Sequence, residues 1–296
     1  MAVLFLFIDG VGLGETAPKN PFSKNRYTGF EAMSGGQPFT RDAHSILSDG
    51  HLFKGIDATL GVEGLPQSGT GQATLFTGRN AARVVGRHFG PFPHSKTKPL
   101  LRDYSIFKKA TERGKSCVFM NAYPDIFFRR SEQNNRWSCT TLMTKSAGIP
   151  LHTVEDLKKG KAITAEITQQ AWREQLAIEI PEIDPGEAAE RMLNQARSHD
   201  IVLYEYYLTD KAGHTQSEAE AGKVISRFSA FLEYLIRNRN DEDTLLLSSD
   251  HGNIEDLSTK THTFNEVPLF AEGPAAGAFR DVVSIRDIAP VILQVV

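Results

Sequence analysis

Four short apolar runs, each ending at a polar residue, constrain the fold of this chain more than any other feature. The runs are Ala2–Ile8, Cys117–Met120, Ile201–Leu208 and Thr244–Leu247. None alternates polar and apolar residues, which is typical of strands covered on both faces of a sheet. Helical stretches such as 216–238 separate the runs. The sequence therefore predicts an α/β fold with a mainly parallel sheet and helices on both faces.

One stretch between the predicted strands differs from the rest of the chain. Residues 124–180 are largely polar and contain the turn signal Gly148-Ile149-Pro150, with little apolar content and no obvious buried strand. The length of 296 residues suits one large domain with a modest insertion. We therefore expect an α/β core formed by 1–123 and 181–296, with 124–180 as a short inserted cap.

The composition excludes several classes of protein. The formal net charge of −3 is not that of a nucleic-acid binder. Two cysteines, Cys117 and Cys139, do not form a disulfide framework. The apolar run Ala2–Ile8 is too short for a signal peptide, and no run approaches a membrane span. We expect a cytoplasmic protein without nucleic-acid or membrane partners, whose oligomeric state the sequence leaves open.

Six residues are able to bind a metal ion, and three of the six fall at or just past the end of a predicted strand. They are Asp9, Asp210, His214, Asp250, His251 and His262. In open α/β sheets, ligands bind beyond the carboxyl ends of the strands. Carboxylate and imidazole together suit zinc or manganese, with magnesium as an alternative. Each residue alone is equally consistent with a turn or a helix cap, and only their coincidence predicts a metal centre.

The spacing within two pairs of candidate ligands requires particular local backbone conformations. Asp210 and His214 turn toward one centre if the segment between them coils as a helical turn. Asp250 and His251 are adjacent, so they would point apart on an extended strand. They therefore need an irregular turn, or they serve neighbouring metals.

The stretch PQSGTGQATLFTGR, residues 66–79, is a second candidate for the site. Gly69 and Gly71 allow close approach of the backbone, and a helical run follows them. A Ser or Thr at a helix N-terminus lies in a positive field, which favours an anion and lowers the pKa of a hydroxyl. The alternative is an ordinary helix cap.

A basic field surrounds this stretch. From Gly64 to Arg102 the chain has no Asp or Glu but six Arg or Lys residues. This charge distribution fits a small phosphorylated substrate, although part of it is also what a solvated face would show. The candidate substrate-binding residues are Arg79, Arg87 and Lys96.

Five motifs occur in an order that resembles the alkaline phosphatase superfamily, most closely cofactor-independent phosphoglycerate mutase and the phosphopentomutase core. The motifs are Ile8-Asp9-Gly10, Ser68 followed by Gly78-Arg79, Asp210-x-x-Gly213-His214, Asp250-His251-Gly252-Asn253-x-Glu255 and His262-Thr263-x-Asn265-x-Val267-Pro268. Together they span nearly the whole chain. The resemblance implies two divalent metal ions and phosphoryl transfer through a phosphoserine.

The resemblance also implies a division of the ligands. Asp9, Ser68, Asp250 and His251 would hold one metal. Asp210, His214 and His262 would hold the other. Ser68 takes the place of the nucleophile by its spacing to Gly78, and Thr70 is the alternative hydroxyl.

Two departures from the mutases bear on the reaction. Gln72 stands where the mutases have His, and the insertion is much shorter than theirs. Since a mutase must shield its phosphoserine from water, we expect hydrolysis of a small phosphoester. A phosphomutase acting on phosphoglycerate or a sugar phosphate is one alternative, and a non-catalytic metal-binding protein of the same fold is another.

Overall fold

One seven-stranded sheet organises the computed structural model, which describes residues 1–296. The strands are β1 (Val3–Ile8), β2 (Ile46–Leu47), β3 (His51–Ile56), β4 (Cys117–Phe119), β5 (Ile201–Tyr206), β6 (Thr244–Ser248) and β7 (Val267–Glu272). Their order across the sheet is β2-β3-β7-β6-β1-β5-β4. The four strands from β6 to β4 are mutually parallel, whereas β7, β3 and β2 pair antiparallel along one edge.

Helices fill the connections between the strands. They are α1 (Pro21–Lys24), α2 (Thr28–Met33), α3 (Ser68–Thr77), α4 (Ala81–Val85), α5 (Lys98–Tyr104), α6 (Ile106–Glu112), α7 (Asp125–Gln133), α8 (Cys139–Ser146), α9 (Val154–Lys158), α10 (Gln170–Leu176), α11 (Pro185–Ala196), α12 (Leu208–Thr215), α13 (Glu218–Asn238) and α14 (Ile288–Val295). Two short 3-10 helices cover Ala276–Phe279 and Ile285–Asp287. None of the helices combines the length and the apolar character that a bilayer crossing needs.

The helices cover both faces of the sheet, as the sequence predicts. Successive residues of β1 point to opposite faces, and all six are buried. Leu4 and Leu6 pack with residues of α2, α11 and α13, such as Phe228. Phe5 and Phe7 pack with residues of α3, α6 and α14, such as Phe76. Burial on both faces explains why the strand sequences do not alternate.

The four predicted strands form, with ends shifted by one or two residues. The largest shift is at β5, which ends at Tyr206 because Leu208 already belongs to α12. The antiparallel strands β2 and β3 were not predicted. The β3 sequence, HLFKGI, mixes buried and half-buried positions and carries no clear period. Its pairing with β7 positions it in the sheet.

Residues 124–180 form no strand, but the expectation of little apolar content is wrong. Ten apolar residues of this segment are buried: Cys139, Leu142, Met143, Leu151, Leu157, Ala162, Ile163, Ile167, Trp172 and Ile180. Those of α8 belong to the same apolar cluster as Phe76 of α3. Single bridges also join Asn121 to Ile163 and Ala122 to His152. The segment is therefore anchored to the sheet, and its separation as a cap stays a prediction.

The packing of α13 against the sheet predicts a large effect for one substitution. Phe228 is fully buried, and its ring centroid lies 4.9 Å from that of Tyr206 and 5.8 Å from that of Phe30. Phe228→Ala should lower the free energy of unfolding by about 4 kcal/mol, because it leaves a cavity. Urea unfolding measures the change. Phe264→Ala, at a side chain that is 63 % exposed, is the control and should change it by less than about 0.5 kcal/mol. Equal effects would contradict this packing.

Candidate active site

Parallel pairing brings three strand ends to one edge of the sheet. β1 lies between β5 and β6, with Ile8 opposite Tyr206 and Phe7 opposite Ser248. The segments that follow these strands carry the candidate ligands. Asp9 follows β1 directly, α12 begins two residues after β5, and a bend carrying Asp250 and His251 follows β6. The register alone thus places their carboxylates close together.

The first cluster joins the ends of β1 and β6 to the start of α3. His251 Nε2 lies 3.5 Å from Asp9 Oδ1 and 3.4 Å from Asp250 Oδ2. The hydroxyl oxygen of Ser68, the first residue of α3, lies 3.0 Å from the same nitrogen. All four side chains are buried. The bend after β6 therefore turns the adjacent Asp250 and His251 toward one point.

The second cluster joins α12 to the loop before β7. His214 Nε2 lies 3.2 Å from Asp210 Oδ2, across one helical turn. His262 Nε2 lies 3.5 Å from Asp210 Oδ1 and 3.4 Å from His214 Nε2. The Nδ1 atoms of the two histidines donate to carbonyl oxygens, at 2.8 Å for Lys260 and 2.6 Å for Pro66. These bonds orient both Nε2 atoms toward Asp210.

Two glycines permit these close approaches. Gly10 has a φ of +67°, and a Cβ atom there would lie 2.6 Å from Asp210 Oδ1. A Cβ atom on Gly71 would lie 2.8 Å from the carbonyl oxygen of Asp250. Either side chain would push apart elements that carry the candidate ligands. The sequence interpretation of Gly71 as a site of close approach is therefore confirmed.

Burial sets the protonation of the first cluster. It raises the pKa of Asp250 to about 7, and the charge of Asp210 adds to this shift. Burial also raises the pKa of Asp9 well above its usual range, followed by the charge of Asp250. It lowers the pKa of His251 and of His262. The two imidazoles are thus neutral, which is the form that binds metal ions.

Asp210 and His214 behave as an ion pair. Burial acts to raise the pKa of Asp210, but the hydrogen bonds with His214 and Asn253 outweigh it and lower that pKa. The same hydrogen bond raises the pKa of His214 to about 9. A carboxylate is therefore ionised at this edge of the sheet at neutral pH.

Unpaired polar atoms test whether these residues fit a metal. Asp9 Oδ1, Asp250 Oδ2 and His251 Nδ1 are buried without a hydrogen-bond partner. An unpaired buried carboxylate oxygen is costly, and a divalent cation would satisfy it. The ligand atoms of Asp9, Asp250 and His251 lie within 4.8 Å of one another, and so do those of Asp210, His251 and His262. The residues present fit two neighbouring divalent ions.

The second of these sets differs in one member from the expected ligands. It contains His251 where the resemblance implies His214. The rings of His251 and His262 stack with centroids 3.8 Å apart, so the two clusters adjoin. His214 lies at the exposed side of the second cluster. All seven expected ligands are thus brought together, and their division between two metals stays a prediction.

Gln72, on the first turns of α3, orients one of the candidate ligands. Its Nε2 donates a 3.0 Å hydrogen bond to Asp9 Oδ2. The other oxygen, Asp9 Oδ1, is the one left without a partner. Gln72 therefore fixes the carboxylate so that a single oxygen is free to bind an ion.

The two candidate hydroxyls on α3 have different surroundings. Thr70 is fully buried, and its Oγ1 accepts a hydrogen bond from the Phe89 N–H at 3.1 Å. The same hydroxyl lies 3.2 Å from the Gln67 carbonyl oxygen, to which it donates. Ser68 instead points at His251 and faces the adjoining cavity. Of the two hydroxyls, that of Ser68 therefore lies against the candidate ligands and the cavity.

The three basic residues predicted to bind substrate do not join this site. Arg79 follows the C-cap of α3, so the length of the helix, at about 1.5 Å per residue, separates it from Ser68. It lies over the ring of Tyr104, 4.8 Å from the centroid. Arg87 and Lys96 are exposed and do not line the cavity at Ser68. The basic side chains of this segment therefore face solvent for the most part.

A cavity of about 780 Å³ opens beside the two clusters. Ser68, Asp9 and Asp210 line its inner end. The segment 124–180 contributes much of the opposite wall, including Phe127 and Trp172. The cationic side chains that line it are Lys211, Lys223 and Arg227. None of these three was singled out from the sequence, because they lie on α12 and α13, outside the basic segment.

Comparison with known proteins gives the family of this chain. A model of the metalloenzyme superfamily matches residues 1–296. The chain belongs to the metalloenzyme superfamily. This confirms the resemblance stated from the motifs.

Individual relatives of this metalloenzyme are distant. The 2,3-bisphosphoglycerate-independent phosphoglycerate mutase of Desulforudis audaxviator is 31% identical over 122 residues, which are 38% of this chain and 24% of that protein. A cold-active alkaline phosphatase from a psychrophilic Shewanella has a TM-score of 0.57 at 14% identity, over 99% of both chains. The phosphoglycerate mutase of Leishmania mexicana has a TM-score of 0.50 at 10% identity, over 97% of this chain and 94% of that one. At such identities these structures show the fold alone, which is alkaline phosphatase-like.

Sequence reasoning missed one buried acid of this metalloenzyme. Glu205 lies on β5 and lines the same cavity as Ser68. The Thr140 hydroxyl donates to its Oε2 at 2.8 Å, and burial raises its pKa to about 7. The available signal was a single acid within the otherwise apolar run Ile201–Leu208. A buried carboxyl whose pKa is raised toward neutral pH is a candidate functional group in this wall of the cavity.

The raised pKa of Glu205 predicts a pH-dependent stability. Burial raises this pKa from 4.5 to about 7, so its contribution to folding is complete below 4.5 and is lost as pH rises through 7. At ~1.4 kcal/mol for each unit, the loss is about 3 kcal/mol. Glu205→Gln should therefore become more stable relative to the wild type between about pH 5 and about pH 8.

Urea unfolding in a chelating buffer across this range measures the difference. Glu174→Gln is the control, because Glu174 is an exposed acid of the same cavity. The free energy of unfolding of the Glu174→Gln variant, relative to that of the wild type, should stay constant with pH. If the difference in unfolding free energy between Glu205→Gln and the wild type is also constant with pH, the raised pKa of Glu205 is contradicted.

Proposed function

We propose that this protein catalyses metal-dependent phosphoryl transfer, and that it hydrolyses a small phosphoester through a phosphoserine at Ser68. The observation that carries the proposal is the position of the Ser68 hydroxyl. It stands at the first residue of a helix, 3.0 Å from His251 Nε2, among buried carboxylates with unpaired oxygens. A hydroxyl so placed has both a positive field and an ion-binding cluster beside it.

The ligand sets would be those that the family resemblance implies. Asp9, Ser68, Asp250 and His251 would hold one divalent ion, and Asp210, His214 and His262 would hold the other. Such a pair, with manganese or zinc as the expected ions and magnesium as an alternative, would supply charge stabilisation for phosphoryl transfer. Gln72 and the carbonyl oxygens of Pro66 and Lys260 keep the ligands oriented.

The phosphoryl group is transferred in two steps, first to Ser68 and then to water. Ser68 Oγ releases its proton to solvent and forms a bond to phosphorus while the bond from phosphorus to the ester oxygen breaks, and the alcohol leaves with a proton from solvent. Water then attacks the phosphoserine, which releases inorganic phosphate and restores the hydroxyl. The positive end of α3 stabilises the phosphoryl oxygens during both steps.

Gln72 favours hydrolysis over isomerisation. Its amide is engaged with Asp9, in the place where the resembling mutases carry a histidine. The short insertion also supports hydrolysis, because a mutase must exclude water from its phosphoserine. The buried apolar residues of 124–180 argue the other way, since they anchor this wall firmly over the cavity. A phosphomutase is therefore the second candidate, and it agrees with the names of the curated relatives.

Metal analysis tests the ligand sets directly. Protein treated with manganese or zinc and then dialysed should retain about two equivalents per chain. Asp210→Asn should retain about one, because it removes the carboxylate shared by His214 and His262. Asp49→Asn, at a side chain that is 94% exposed, is the control and should match the wild type. A metal content near zero equivalents in the wild type would contradict the proposed metal binding.

Phosphorus NMR tests the nucleophile and the reaction together. Wild-type protein with manganese should release inorganic phosphate from phosphomonoesters without forming an isomeric phosphoester. Ser68→Ala should lower the rate by a factor of at least ~10³, since a covalent step is lost, while it keeps the fold and at least one metal.

Thr70→Ala is the matched control, and it should retain most of the activity. Activity in Ser68→Ala together with its loss in Thr70→Ala would assign the reaction to the other hydroxyl. Conversion of 3-phosphoglycerate or a pentose phosphate to its isomer, with little phosphate released, would instead identify a mutase.

A further inference from the structure

We propose that the outer part of the cavity is a subsite for an uncharged alcohol group with a flat apolar face, so that the substrate is a phosphoester with no second anionic group. The inference rests on the proposed function, because it takes Ser68 as the site of phosphoryl transfer. The cavity has about 780 Å³. A phosphoryl group fills little of such a volume, which is in the range of sites for larger organic ligands, ~300–1,000 Å³.

An aromatic wall begins directly beside Ser68. The rings of Tyr123 and Phe127 stack with centroids 4.0 Å apart and planes inclined by 23°. Both side chains are half-buried and line the cavity. Phe92 lines it as well, and its backbone packs so closely on Gly69 that no Cβ atom would fit there. Half-exposed rings that line the same cavity as Ser68 offer a flat apolar surface to the alcohol part of a phosphoester.

Phe92 is fixed from outside the cavity. The guanidinium of Arg136 lies 3.8 Å from the centroid of its ring. Phe127 is held by a different contact, the edge-to-face packing of its ring with that of Trp137, at 6.0 Å between centroids. Two of the three rings of the wall are thus braced by partners before any ligand arrives, which lowers the entropic cost of binding.

The charges of the cavity disfavour a second anion. Outside the two clusters, the cationic side chains that line the cavity are Lys211, Lys223 and Arg227. The acidic side chains that line it are Glu166, Glu174, Glu205 and Glu220. Arg227 already donates to the Glu166 carbonyl oxygen at 3.2 Å and to Gln170 at 3.4 Å. The lining therefore carries no excess of positive charge to hold a carboxylate or a second phosphate. Its glutamates suit hydroxyl groups, from which they accept hydrogen bonds.

Two esters with matched leaving groups test this subsite. Benzyl phosphate and 4-carboxybenzyl phosphate differ by one remote negative charge. With the manganese-loaded protein, kcat/KM for benzyl phosphate should exceed that for the carboxylated ester about tenfold, because the lining carries no excess of positive charge to hold the added carboxylate. Phe127→Leu should raise KM for benzyl phosphate about fivefold and leave kcat within about twofold, since it weakens binding and not chemistry. Tyr104→Leu, at an aromatic residue outside the cavity, is the control and should change neither.

Binding of the non-hydrolysable analogues gives a second readout. Isothermal titration calorimetry should show that benzylphosphonate binds about tenfold more tightly than 4-carboxybenzylphosphonate. Similar kcat/KM values for the two esters, or an unchanged KM in Phe127→Leu, would overturn the subsite while the proposed function stands. If neither ester is hydrolysed, the proposed function fails, and equal affinities for the two phosphonates would then overturn the subsite independently.

Discussion

The burial of several carboxylates at one edge of the sheet is the constraint on which the rest of this structure depends. Asp9 and Asp250 lie beside each other with oxygens that no donor satisfies, and Asp210 lies close enough to raise the pKa of both. Water cannot compensate charges that are buried to this extent, so cations or protons must. In a member of the metalloenzyme superfamily, bound divalent ions would neutralise these buried carboxylates.

The local backbone is arranged to maintain this cluster. Parallel pairing of β6, β1 and β5 sets the spacing of the three acids, and Gly10 and Gly71 remove the side chains that would separate them. Hydrogen bonds from Gln72 and to backbone carbonyl groups fix the ligands in orientation. A site held in advance in this way binds ions with little reorganisation, but it lowers the stability of the metal-free protein. The proposed activity and the stability of the metal-free protein therefore depend on the same side chains.

Much of this arrangement was predictable from the sequence, because it depends on local patterns and chain order. Non-alternating apolar runs predicted the buried strands, and the acids after them predicted the edge at which they meet. The pairing of β3 with β7 was not predictable, since residues more than 200 positions apart determine it. Arg79 was misplaced because a sequence shows that two residues are near along the chain, whereas α3 holds them at its opposite ends. Glu205 was overlooked because a single acid in an apolar run has no motif.

The most direct test of the central claim is to trap the phosphoserine. Manganese-loaded protein mixed with benzyl phosphate and quenched in acid within one turnover should yield a tryptic peptide, residues 55–79, that is heavier by one phosphoryl group. Fragmentation of this peptide should place the added mass on Ser68, and omission of manganese should abolish it. Hydrolysis that proceeds at full rate without phosphate on this peptide, or with phosphate on Thr70 alone, would contradict the account.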